Sequence, residues 1–239
     1  MAFVKTEMWC NMNQPRKIPQ IWSDGAAQPW HLMAPRVFRY DNHEHIDEFF
    51  ETGRLRLSTF QQFRSYADEV RGDTSEGVAV SRGIAANGLE VWLLHRTGIN
   101  ALIYCTSQLL SRSLMTAFGR SHAFEIADTT GFGKAVGEAL GQNFIAGMEG
   151  PCIYRGERTI QRSLGRDVSP EFMSPDEVRQ LANELGGQEE MLFLKLPHHK
   201  RQQEYRLIWA MANEMLEPIF VDCPEAVEHC RRVEADEIN

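Results

Sequence analysis

Residues 36–59 write a strand, a short helix and a second strand in immediate succession. Arg36-Val37-Phe38-Arg39-Tyr40 reads as a short strand. Asp41 or Asn42 can then cap a helix by accepting a backbone N–H bond. Ile46, Phe49 and Phe50 fall at i, i+3 and i+4, which gives that helix one apolar face. Gly53 sits where a left-handed exit is needed. Leu55 and Leu57 then alternate with Arg54, Arg56 and Ser58, as on a half-buried strand. The unit is strand, short helix, strand.

The rest of the chain repeats that mixture without regular βαβ alternation. Residues 64–77 are polar and read as a loop, or as a short helix followed by a loop. Strands are expected at 89–95 and 101–106, with the turn Arg96-Thr97-Gly98 between them. A helix is expected over 108–118, then a strand at 122–126. Phe132, Val136, Leu140 and Phe144 recur every four residues and predict a helix over 132–146. Cys152-Ile153-Tyr154 reads as a short strand. Ser174-Pro175-Asp176-Glu177 has a capping Ser, a Pro at the first helical position and a Glu three residues after the cap. The helix it opens carries Val178, Leu181 and Leu185 as its apolar stripe and ends at Gly186. Residues 191–196 form an apolar strand stopped by Pro197, and the strand containing Glu204 follows. Asp222-Cys223-Pro224-Glu225 opens a last helix. The fold class is therefore α+β. Residues 1–35, with four prolines and Trp9, Trp22 and Trp30, read as an irregular N-terminal segment packed on the body. Residues 36–239 read as a single domain.

Composition limits the function classes. A net charge of −8 argues against a broad electrostatic grip on nucleic acid, although Arg36, Arg39, Arg54, Arg56 and Arg64 cluster in one stretch and His198 to Arg206 in another. Five scattered cysteines suggest free thiols in a reducing compartment. No secretory leader is visible, and no apolar run approaches the ~20 residues of a membrane span. The chain reads as soluble and cytoplasmic, without a membrane partner. Metal sites are poorly supported: His43-Glu44-His45 lacks a spacing that converges on one helix face, and Cys223, His229 and Cys230 read as helix packing.

The chemistry centres on Gln202-Gln203-Glu204-Tyr205-Arg206, where a carboxylate sits at the mouth of an aromatic, branched strand. Together with Phe38-Arg39-Tyr40, Leu55-Arg56-Leu57-Ser58-Thr59 and Ile103-Tyr104-Cys105-Thr106-Ser107, it resembles the ADP-ribosyltransferase fold of bacterial toxin and phage-defence proteins. The likeness spans roughly 36–209 and is similar, too, to an uncharacterised bacterial domain family ending in Glu-aromatic-Arg. It implies a split β-sheet core with flanking helices and an enzyme that takes NAD as substrate. It breaks the nicotinamide–ribose bond and transfers ADP-ribose to a protein or nucleic acid.

On that resemblance Glu204 stabilises the oxocarbenium-like ribose and bonds a ribose hydroxyl. Gln202 stands where many members place an acceptor-guiding residue. Arg39 binds the pyrophosphate through charge-assisted bonds. Ser58 and Thr59 orient the ribose or Glu204, and Tyr40 or Tyr205 stacks on nicotinamide. Toxin activity would imply a neutralising antitoxin as a partner. Each residue also has a plain structural role open to it. Arg39 can pair with Asp41 or Glu44, Ser58-Thr59 can cap a helix starting at Phe60, the two tyrosines can pack, and Glu204 can pair with Arg206 or Lys200. The alternative reading is a catalytically inactive α+β binding module in a defence or toxin–antitoxin system.

Overall fold

The strand–helix–strand unit is built as its sequence pattern asks. In the computed structural model, which describes residues 20–22, 36–66, 72–169, 173–185 and 189–238, strand β2 is Val37–Asp41, helix α1 is His43–Thr52 and strand β3 is Arg54–Thr59. Asn42 occupies the cap position, but its side chain makes no capping bond. Gly53 leaves the helix at φ +74° and donates its N–H to Phe49 O at 2.7 Å. A Cβ there would lie 2.3 Å from the backbone of Cys223, so only glycine fits. Ile46 and Phe49 are buried, and Phe49 stacks on Phe124 with ring centroids 5.0 Å apart.

The remaining strands are β1 (Gln20–Trp22), β4 (Val78–Ile84), β5 (Glu90–Arg96), β6 (Ala101–Ser107), β7 (His122–Ile126), β8 (Phe144–Pro151), β9 (Ile153–Tyr154), β10 (Thr159–Ser163), β11 (Leu194–Lys195), β12 (Glu204–Met211), β13 (Ile219–Asp222) and β14 (Cys230–Arg232). The other helices are α2 (Phe60–Ser65), α3 (Arg112–Ala117), α4 (Thr129–Ala139) and α5 (Pro175–Leu185). The fold is α+β. The main sheet runs β1-β8-β12-β6-β2-β7-β14, with β3 attached to β6 and β13 to β3. A separate sheet is ordered β10-β4-β5, and β11 pairs β9 in a short two-stranded ladder.

One irregularity of the main sheet creates the site. Strand β6 is paired along one edge by β12, over Ala101 to Ser107. Its other edge is shared. Ser58 and Thr59 of β3 pair with Ile103 and Leu102 at one end, while Phe38 of β2 pairs with Ser107 at the other. Between them β2 and β3 diverge from the middle of β6. Beneath lies the main core, where Trp209 of β12 is fully buried and donates its indole N–H to Gly133 O at 2.8 Å.

Several expectations are corrected. Residues 89–95 and 101–106 are strands as expected, and they lie in different sheets: β5 pairs with β4, and β6 belongs to the main sheet. The 108–118 helix shrinks to α3. The expected 132–146 helix is α4, which ends at Ala139; Phe144 begins β8, because its four-residue spacing bridges a helix and the following strand. Residues 189–193 form a 3₁₀ turn rather than strand, leaving only Leu194–Lys195 extended. Pro224–His229 is likewise 3₁₀. The capping box at Ser174 forms, with Ser174 N donating to Glu177 Oε2 at 2.7 Å, but Val178 is exposed while Leu181 and Leu185 are buried. Gly186 and most of the N-terminal segment lie outside the described residues. The exception is Gln20–Trp22, which pairs antiparallel with Glu149–Gly147 instead of being irregular.

Candidate active site

The gap between β2 and β3 opens into a pocket whose floor is β6 and β12. Phe38, Arg39 and Tyr40 line it from β2, Arg56 and Ser58 from β3, Ile103 to Ser107 from β6, and Glu204 and Arg206 from β12. Its space, counted out through the open mouth into solvent, is about 910 Å³. Most of that space is mouth rather than enclosed interior.

The floor is an ionic cluster. Glu204 enters β12 from a turn at Gln203, a residue in left-handed backbone (φ +42°). The Glu204 N–H donates to Tyr154 Oη at 2.8 Å, and its carbonyl accepts from Cys152 N at 2.8 Å. The carboxylate accepts from Lys195 Nζ on Oε2 and from Arg206 Nε on Oε1 at 2.6 Å. Arg206 also lies 2.7 Å from Glu76 Oε1 and donates to Leu192 O at 2.6 Å. Gln202 Oε1 accepts from Lys195 Nζ at 3.1 Å. All four charged groups are buried. Burial raises the Glu204 carboxyl, but the charges of Arg206 and Lys195 and their hydrogen bonds outweigh it, so the group sits well below the usual carboxylate range. Burial likewise lowers Lys195, and the charges of Glu204 and Glu76 more than reverse that. Glu204, Lys195 and Arg206 are thus all held in their charged forms. Beside it, the buried His199 is lowered to about 4 by burial and by the neighbouring Lys195.

The rim is different. The guanidinium of Arg39 lies 4.6 Å from the Tyr104 ring centroid and donates to Cys105 O at 2.8 Å. Its side chain is 24% exposed, and it stands 3.5 Å from Asp41. Arg120, 26% exposed, reaches the same Asp41 at 3.1 Å. Arg56 donates to Gln62 Oε1 at 3.2 Å. The lining thus holds Arg39, Arg56, Arg120, Lys195 and Arg206 against Glu76 and Glu204. Even with Asp41 beside the rim, this is a cationic pocket in a chain of net charge −8. Phe63, Tyr66 and Phe118 supply aromatic surface. An anionic ligand with planar rings suits such a lining.

Of the residues singled out from sequence, Arg39, Tyr40, Ser58, Gln202 and Glu204 line the one pocket. Thr59 and Tyr205 do not. Thr59 is fully buried; its Oγ1 accepts from Gln62 N at 3.2 Å and caps α2. Tyr205 packs in the main core near Glu149 and Thr129, on the other face of the sheet, because neighbouring strand residues point oppositely. Neither can touch a ligand in this pocket. Tyr40 is tied by its hydroxyl, which donates to Leu109 O at 2.5 Å and accepts from Ser111 N at 2.8 Å, so it is a fixed wall. Sequence reasoning missed Lys195 and Glu76. Lys195 carried a signal, being the lone charge in the apolar run 191–196; Glu76, in a polar loop, carried none.

The candidate metal ligands are engaged elsewhere. His43 pairs with Asp47, His45 with Asp41 and His229 with Asp128, while Cys230 Sγ donates to Ala226 O. Among the described residues no three His, Cys, Asp or Glu side chains are grouped to hold a metal ion, and no helix is long and apolar enough to cross a membrane. Comparison with family models, with curated proteins and with solved structures gives no match.

Proposed function

We propose that this chain cleaves the nicotinamide–ribose bond of NAD and transfers ADP-ribose to a macromolecule, as a toxin or phage-defence effector would. The observation that carries the reading is that Arg39, Ser58 and Glu204, on three separate strands, line one pocket where β2 and β3 part from β6. The rim arginines suit a pyrophosphate, for which a guanidinium offers paired charge-assisted bonds. Glu204 is ionised and rigid, and each carboxylate oxygen keeps lone-pair capacity beyond the bond it already accepts. It can therefore take a ribose hydroxyl and face the cation that grows as nicotinamide leaves. On this reading Gln202, which lines the same pocket and is bonded to Lys195, is the acceptor-guiding residue. The acceptor is a protein or a nucleic acid, and a toxin of this kind would be held in check by a neutralising partner.

A second reading has its own support. Lys195 and Arg206 together offset the Glu204 charge, which weakens its pull on a developing cation. On this reading the pocket binds a nucleotide without turning it over. Two assays separate the readings: nicotinamide release with protein and nucleic-acid acceptors present, and calorimetric binding of NAD. Turnover by the wild type, lost about 100-fold in Glu204→Gln with binding retained, is the expected result. Arg39→Ala should weaken binding. If the wild type binds NAD but releases no nicotinamide, the binding-module reading replaces the enzyme; if it does neither, both fall.

A further inference from the structure

We propose that the chain forms a two-fold symmetric dimer through strand β5, joining two three-stranded sheets into one of six. In the sheet β10-β4-β5, strand β5 is an edge, paired among the described residues only with β4. The bonds at either end of this ladder, Ala85 N to Leu89 O and Thr97 N to Gly77 O, fix its phase. Residues 89, 91, 93, 95 and 97 turn their backbone groups to β4, so Glu90, Trp92, Leu94 and Arg96 present theirs to the open edge. The same four side chains face outward: Trp92 is 55% and Leu94 71% exposed. On the inner face Val91 and Leu93 pack toward Leu181 and Leu185 of α5.

An exposed edge with apolar side chains invites another strand, and proteins usually blunt such edges. Here the sequence names its occupant, because Glu90-Val91-Trp92-Leu93-Leu94-His95-Arg96 is complementary to itself when run antiparallel. A two-fold axis at Leu93 sets each Glu90 opposite Arg96 of the second copy and each Trp92 opposite Leu94. Glu90–Arg96 and Trp92–Leu94 then fall in hydrogen-bonded positions, the ones whose backbone groups are unpaired at this edge. Sliding the axis to Trp92 or to Leu94 keeps the hydrogen-bond phase but loses the charge match, placing Glu90 opposite Leu94 in the first case and Trp92 opposite Arg96 in the second. Glu90 already pairs with Arg82 of β4, and Arg82 lies 5.3 Å from the Trp92 ring centroid. The dimer would extend this into an Arg82–Glu90–Arg96 row across the junction, with the tryptophan and leucine pairs at its centre. Opposite-charge and aromatic–aliphatic cross-strand pairs both favour such a register. The pocket and its proposed activity play no part in this inference.

Sedimentation equilibrium over a concentration series tests it. Wild type should be a dimer that dissociates on dilution. Glu90→Arg and Arg96→Glu should each weaken the dimer by about tenfold or more, by setting like charges opposite one another. The double variant Glu90→Arg/Arg96→Glu should restore it, which a merely misfolded strand would not do. Under oxidation, Leu93→Cys should cross-link to itself at the axis and Leu94→Cys should not. A wild-type protein that is monomeric at every concentration overturns the proposal. So does an oligomer that ignores both charge reversals, or one that cross-links through position 94 and not 93.

Discussion

The floor and the rim of the pocket use the same residue types to opposite ends. On the floor two cations, Lys195 and Arg206, meet two carboxylates, Glu76 and Glu204, all out of solvent. Lys195 pairs with Glu204, Glu204 with Arg206 and Arg206 with Glu76, so the floor is a nearly neutral platform. On the rim Arg39 and Arg120 share one nearby carboxylate, Asp41, while Arg56 bonds only the neutral Gln62 amide, and all three keep part of their surface in water. The positive excess of the pocket therefore resides at its mouth. Attraction of an anion belongs to the rim, and stability to the floor. Burial decides the division, since removing one member of a buried pair leaves the other charge desolvated, whereas an exposed arginine is screened by water.

Three changes probe that division, in order of expected size. Removing the Lys195 ammonium leaves Glu204 with Arg206 alone, so Lys195→Met should cost about 3 kcal/mol, the low end for breaking a buried ion pair. Urea unfolding measures it, and Lys195→Met/Glu204→Gln should recover part of the loss; a cost near zero would mean that the floor is solvated.

His199 gives a comparable effect that depends on pH. Its ring is held neutral in the folded protein, lowered to about 4, against about 6.5 when unfolded. The unfolded chain takes up this proton first, so the contribution is complete above about pH 6.5 and is lost as pH falls toward 4, by at most about 3 kcal/mol. His199→Gln should flatten the stability profile across that window. An unchanged slope would place the pH dependence elsewhere.

The smallest effect is expected at the rim. Arg120→Ala should alter stability by less than about 1 kcal/mol, while weakening the binding of anionic nucleotides in a salt-dependent way. A large loss of stability there would erase the contrast between rim and floor.

Some of the site was legible in advance, and more could have been. Arg39, Ser58 and Glu204 stood out as polar groups on strands, and the period-two rule already separates Glu204 from Tyr205 and Ser58 from Thr59, because adjacent strand residues face opposite ways. Thr59 showed its capping role in sequence by preceding Phe60-Gln61-Gln62. Glu76 could not be found, since nothing in a polar loop distinguishes a solvated carboxylate from one carried into an ionic cluster. Phe144 misled because a four-residue spacing continued by chance across a helix end.

Local physics was enough to determine the β2–α1–β3 unit, its glycine exit and the capping box at Ser174. In each case the residues concerned are neighbours in the chain and interact through backbone geometry. The parting of β2 and β3 along one edge of β6, and the meeting of Glu76, Lys195, Glu204 and Arg206 beneath it, were decided only in three dimensions. Strand pairing and charge burial join residues far apart in sequence, and the energy of such contacts depends on which partners the fold delivers and how much water it removes.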